Sequence, residues 1–407
     1  MSDTPSTGLP LAISTAIAIQ VLASAAVLAL TAIAPIVAEA MNVPPHVIGY
    51  QVSIVYLFAT LVSVFAGGFV RKFGPARVSQ LALLAGGLGL AGFTSGSVGA
   101  VLVASILVGS GYALTNPAAS DLLNRLAPPE RRNVIFSLKQ TGVPLGGMLA
   151  GLVLPGVAVA LGWKPALLLA AALVFILMAA LEAVRPAWDA ERDPGLPLRA
   201  NMLEGLRLVA QRPGLRALAV MGFLFSAIQL SLVSFAVVML VAEFGWKPVE
   251  AGAAAAAVQA SGAIGRVFWG AVADRTRAGL PVLAGIGCLS SLAAAPMPFV
   301  GALAPWLVVA LLCAFGAASI GWNGVMLAEA ARLSPRGRAG PVAGGVLMLT
   351  FLGVVVGPAL FALAYELIGS YADTYAIFAL SPLLGSIVVW RGSRAERKAA
   401  SPAVASK

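Results

Sequence analysis

Two basic side chains interrupt long apolar runs of this chain. Lys139 precedes Gln140-Thr-Gly142-Val-Pro144-Leu-Gly146-Gly147, and Arg266 sits within Ser261-Gly-Ala-Ile-Gly265-Arg266-Val-Phe-Trp-Gly270. An ammonium or a guanidinium in such a setting can hold an anion, and a guanidinium grips a carboxylate through two parallel hydrogen bonds. Their depth follows from helix rise. Arg266 lies eight residues before Asp274, about 12 Å at 1.5 Å per residue, and Lys139 lies seven residues after Arg132, about 10 Å. Half of a hydrocarbon core is about 15 Å. The acids of the apolar runs lie nearer their ends: Asp121, Glu182 and Glu329 at one end, Glu39, Glu243 and Glu366 at the other. Two fixed cations with no acid at comparable depth attract an anion. Two other readings stay open. Arg266 can satisfy backbone carbonyls near a gate, and Lys139 can reach to the membrane surface.

Neutral polar groups at compatible depth are Gln20, Tyr56, Tyr112, Asn116, Gln140, Gln229, Gln259, Trp322 and Asn323. Each can line a site or make a helix–helix contact. Other chemistries find little material. The single histidine, His46, builds no His-based metal site. Cys288 and Cys313 lie in apolar runs, where a thiol acts as a small packing group. No phosphate-binding Gly-x-x-x-x-Gly-Lys-Ser/Thr loop is present, and no Ser/His, paired-Asp or metal-ligand set falls at depth. The expectation is a protein that is not an enzyme and needs no cofactor.

The elements that must carry these residues are membrane helices. Of 407 residues, 60% are hydrophobic and only 10% charged. Such a chain has too little polar surface for a soluble domain and too little charge for disorder. Apolar runs bounded by Gly, Pro and charge predict twelve spans: 11–40, 46–68, 76–96, 99–122, 133–158, 163–184, 215–242, 248–273, 280–299, 303–330, 340–368 and 371–391, with weak breaks near Ser97 and Gly301. Of 26 Lys and Arg, 22 fall in alternate loops and the tail, and only Lys164 and Lys247 on the other face. That bias predicts cytoplasmic termini, and it makes the net charge of +10 a topology signal rather than a nucleic-acid footprint. No cleaved signal peptide is expected, and the Ala/Gly-rich chain fits a bacterial inner membrane.

The hydrophilic stretch between Arg185 and Arg212 divides the spans six and six. The expected organisation is a first bundle over 1–184, a linker over 185–214, a second bundle over 215–391 and a tail over 392–407. Within the linker, 201–211 spaces its leucines as a short amphipathic helix on the membrane surface. The halves match at an offset of about 203 to 207 residues. Pro45 and Gly49 align with Pro248 and Gly252, Gly67 with Gly270, Asn116 with Asn323, and Leu126-Ala-Pro128 with Leu333-Ser-Pro335. Duplicated six-span halves suggest a transporter whose substrate site lies near the midplane.

Gly270-Ala-Val-Ala-Asp274-Arg275 resembles the loop motif of the major facilitator superfamily. The copy Gly67-Gly-Phe-Val-Arg71-Lys72-Phe-Gly74 keeps its glycines but places Arg71 where that family has Asp. Gly142, Pro144, Gly146 and Gly147 look like the family's Gly/Pro motif of span 5, and Ser105 replaces its span-4 arginine. The span-8 segment around Arg266 also resembles that of monocarboxylate and oxalate-type carriers, in which the arginine binds the substrate carboxylate. The resemblance implies an all-α fold of two pseudo-symmetric six-helix bundles, a cavity lined by the spans carrying the polar residues above, and a gating latch at Asp274 and Arg275. It implies a monomeric secondary transporter moving a small organic anion, a carboxylate, by alternating access, with protons as candidate coupling ion. The alternative within the same superfamily is a proton-driven exporter of drugs or metabolites.

Overall fold

A run of apolar residues in the absence of β-branched alternation folds as a helix wherever its backbone groups must be satisfied internally, as they must in lipid. The computed structural model, which describes residues 8–128, 135, 138–195, 202–335 and 339–400, is built from such helices. Among the described residues, ten helices are long and apolar enough to cross a membrane, and Gly279–Ala294 is a shorter apolar one. The remaining expected span is Pro248–Thr276. The all-α, twelve-span architecture holds.

By contact, the chain forms two units. One comprises Met1–Pro44 and Ile54–Ala200, the other Pro45–Ser53 and Asn201–Lys407. The first unit begins with α1 (Leu9–Ala32) and α2 (Ala34–Met41). The predicted first span is thus bent at Ile33, two residues before Pro35, whose ring and missing N–H break the helical ladder. Helix α3 (Ile48–Phe73) begins in the second unit and continues into the first. There follow α4 (Pro75–Phe93), α5 (Val98–Leu126), α6 (Gly142–Leu161), α7 (Trp163–Ala180) and the short turn α8 (Arg185–Trp188). Ser97 caps α5 by accepting the Ala100 N–H.

The second unit holds α9 (Met202–Gln211), α10 (Pro213–Ala242), α11 (Pro248–Thr276), α12 (Gly279–Ala294), α13 (Pro305–Ser319), α14 (Asn323–Leu333), α15 (Ala339–Ile368), α16 (Tyr371–Phe378) and α17 (Leu380–Ala400). The predicted tenth span is two helices, α13 and α14, parted at Ile320-Gly321-Trp322. The linker helix α9 packs against α15: Val209 is buried, and Gly345 lets the backbone of Gly205 approach.

Packing inside each unit follows one scheme. In the first, α1 packs on α6, and α4 packs on α5 and α7. In the second, α10 packs on α15, and α12 packs on α13 and α17. These are the same pairings of successive spans, as duplication requires. Lipid removes most of the hydrophobic drive between helices, so close backbone approach at small residues carries the association. A side chain at Gly146 would collide with the Val21 carbonyl on α1, and one at Gly353 with the Phe223 carbonyl on α10. Gly146 and Gly353 stand 207 residues apart, the same offset as Asn116 and Asn323.

Candidate functional site

In the first unit, Asn116 sits on α5 directly before Pro117. That proline lacks an N–H and leaves a carbonyl of the preceding turn without its helical donor. Lys139 lies in the helical turn just before Thr141 and α6, and its side chain is only 2% exposed. Its Nζ donates to Asn116 Oδ1 and to Gln140 Oε1 at 3.4 Å. No carboxylate pairs with it among the described residues. Gln20, on α1, is fully buried. It donates to Ser24 Oγ at 3.3 Å and accepts from Thr115 Oγ1 at 3.5 Å, so it ties α1 to α5. Tyr56 and Tyr112 meet edge to face with centroids 6.0 Å apart, both partly exposed.

The glycine motif of α6 faces α1. Gly142 lies against Gln20 and Gly146 against Val21 and Ser24, while Pro144 and Gly147 are buried. The motif's position next to Lys139 is therefore also what brings α1 close to the ammonium's helix.

In the second unit, the polar residues gather around the break between α13 and α14. Trp322 is fully buried against Phe225, and its Nε1–H donates to Gln229 Oε1 at 3.0 Å and to the Ser319 carbonyl at 2.9 Å. Asn323 Nδ2 donates to the same Gln229 Oε1 at 3.3 Å. Arg266, on α11, is half-buried, and its Nε donates to the Ile320 carbonyl at 3.3 Å; Trp269 Nε1 donates to the Ala317 carbonyl at 2.9 Å. Both side chains thus serve carbonyls at the helix break. Gln259 is buried on the same helix.

Asp274 and Arg275 are exposed in the last turn of α11. Asp274 makes no hydrogen bond or ion pair to the described residues, and α12 begins at Gly279, after Ala278, without a side-chain cap. Gly67 and Gly270 have open space where a side chain would stand. Arg71 is exposed, and its carbonyl accepts the Asp193 N–H at 2.9 Å.

Carboxylates other than Asp274 do stand at helix starts, and of these the sequence reading did not single out Asp189. Asp189, 3% exposed after α8, accepts the Ala76 N–H at 2.7 Å and the Arg77 N–H at 3.1 Å. Glu329 stands over Gly279 at the start of α12 and binds Arg332 through both oxygens, with Nη2 at 2.6 Å from Oε2. Arg125 pairs with Asp121 at 3.0 Å. Arg125 and Arg332 are 207 residues apart, the repeat offset, while their acids Asp121 and Glu329 stand 208 apart.

Residues 16–358 match the Major Facilitator Superfamily, which is most of the chain. The chain belongs to that superfamily. It is therefore a multi-pass membrane transporter and not an enzyme. Solved structures agree in fold. A bacterial homolog to the human lysosomal transporter Spinster, inward-facing and unoccupied, superposes with TM-score 0.75 at 15% identity, covering 97% of this chain and 98% of that one. A peptide transporter POT in complex with sulfate gives TM-score 0.73 at 16% identity, covering 94% and 95%. A POT family transporter in complex with 5-aminolevulinic acid gives 0.73 at 12% identity, covering 94% and 96%. No curated protein matches the chain in sequence.

Proposed function

We propose that this major facilitator moves a small organic anion, a carboxylate, by alternating access across a bacterial inner membrane, with its termini in the cytoplasm. The observation that carries this reading is Lys139. It is buried, and its partners among the described residues are the neutral amides of Asn116 and Gln140. Withdrawing a cation from water without a counter-charge costs several kcal/mol. An anionic ligand supplies the missing charge and recovers that cost on binding.

Arg266 contributes less directly than the resemblance to monocarboxylate and oxalate-type carriers implied. Its Nε is engaged with the Ile320 carbonyl, which supports the carbonyl-holding role. Protons remain the candidate coupling ion. The test is uptake of labelled mono- and dicarboxylates into proteoliposomes. Saturable uptake that vanishes in Lys139→Gln and partly survives in Lys139→Arg supports the reading. Uptake unchanged in Lys139→Gln removes it.

A further inference from the structure

Within the first unit, the buried ammonium stands beside a pair of aromatic rings. Lys139 is the only Lys or Arg buried among the described residues. Two of its three N–H groups go to Asn116 Oδ1 and Gln140 Oε1, and it makes no further hydrogen bond to the described residues. The bond to Asn116 fixes which face of α5 looks toward the ammonium. Tyr112 stands four residues before Asn116 and so shares that face, about 6 Å farther along the helix. Tyr56 of α3 meets the Tyr112 ring edge to face, with centroids 6.0 Å apart. Gly109, three residues before Tyr112, permits that meeting. A side chain there would collide with the Val55 carbonyl, so the glycine is what lets α3 lie close enough for Tyr56 to reach the ring. Tyr56, Tyr112 and Asn116 are all partly exposed, so rings and amide keep surface for a ligand. Every one of these residues belongs to the first unit.

Resting on the anion reading above, we infer that this strip takes an aryl monocarboxylate, with the carboxylate on the third N–H of Lys139 and the ring against Tyr56 and Tyr112. Aromatic rings attract one another because the positive edge of one meets the negative face of the next, a contact a saturated ring does not make. A ring joined to the carboxylate directly or through one methylene lies about one helical turn from the ammonium, at the level of the tyrosines. A second carboxylate in the same place would lose water against negative ring faces with no cation beside it. One buried cation and one aromatic pair thus match one charge and one ring.

The experiment is competition binding to the purified full-length protein with benzoate, cyclohexanecarboxylate, acetate and succinate. Wild type should bind benzoate more tightly than acetate or succinate by about tenfold or more, and more tightly than cyclohexanecarboxylate by about twofold to tenfold. Tyr112→Leu keeps apolar bulk and removes the ring, so benzoate should lose its advantage over cyclohexanecarboxylate. Tyr112→Phe should restore it. Tyr56→Leu should act as Tyr112→Leu does, and the comparison within wild type decides the matter if neither leucine variant folds. Benzoate bound no better than acetate or cyclohexanecarboxylate, with all of them lost in Lys139→Gln, overturns this inference and leaves the anion reading standing. Succinate bound more tightly than benzoate, or an advantage of benzoate unchanged in the folded leucine variants, overturns it too. Failure of wild type to bind any of these carboxylates overturns both.

Discussion

Asp189 sets its carboxylate over the start of α4 in the space that Gly74 leaves by having no side chain. It accepts two backbone N–H groups there, from Ala76 and Arg77, from 113 and 112 residues away. A carboxylate at a helix N-terminus completes donors that the helix cannot satisfy and faces the positive end of its dipole. The loop that carries Arg71 in place of the family's Asp therefore does receive an acid, from beyond span 6.

Gly74 is required twice over. Its φ is 91°, in the left-handed region, and any Cβ would collide with Asp189. Gly74→Ala should destabilise the protein by about 1–3 kcal/mol, seen as a lowered melting temperature in detergent. Gly67→Ala, with open space at the same motif, should leave melting unchanged. Equal effects of the two would contradict the packing described.

Burial pushes the Asp189 carboxyl above the usual aspartate range, and the hydrogen bonds from Ala76 and Arg77 oppose the shift without cancelling it. A folded-state value above the unfolded one favours folding while the group is protonated. That contribution is present below about pH 4, the ordinary aspartate range, and is lost as pH rises through the folded value. Relative to Asp189→Asn, wild type should therefore lose stability as pH increases from about 4. Parallel melting-versus-pH curves for the two proteins would refute this.

The seam between α1 and α6 depends on a hydrogen in place of a side chain at Gly146. Gly146→Val should cost several kcal/mol, because the Val21 carbonyl cannot retreat without moving α1. The readout is the yield of monodisperse protein and its melting temperature. The repeat-related Gly353→Val, against the Phe223 carbonyl of α10, should behave alike.

The spans were legible because apolar length, flanking charge and proline are local signals. The interruptions inside them were less so. The bend at Ile33 has its signal in Pro35, which the span reading passed over, whereas the parting of α13 from α14 at Ile320–Trp322 has no proline to mark it. Lys139, Asn116, Gln229 and Trp322 could each be singled out by type and depth. That Lys139 meets Asn116, or that Trp322 meets Gln229 across 93 residues, depends on helix register, which a single sequence does not encode locally. Gln20 bonds Ser24 on its own helix and Thr115 on α5, and the second is a helix–helix contact of the kind its depth left open. Asp189 carried no signal at all, as one acid among several in a charged linker.

A binding residue held at a cost to folding should reveal itself in stability. Lys139→Met removes a buried cation without a described counter-charge and should raise the melting temperature while abolishing anion binding. Arg266→Ala strips a donor from the Ile320 carbonyl and should lower it, by about 1–3 kcal/mol of stability. Opposite signs for the two cations would separate a ligand from a structural brace.

The most direct test is equilibrium binding of a labelled carboxylate panel to the purified protein, comparing wild type, Lys139→Arg and Lys139→Gln at matched stability. Saturable binding in wild type, weakened in Lys139→Arg and absent in folded Lys139→Gln, is the expected result. Binding that survives intact in Lys139→Gln would contradict the assignment of the buried ammonium as the anion's partner.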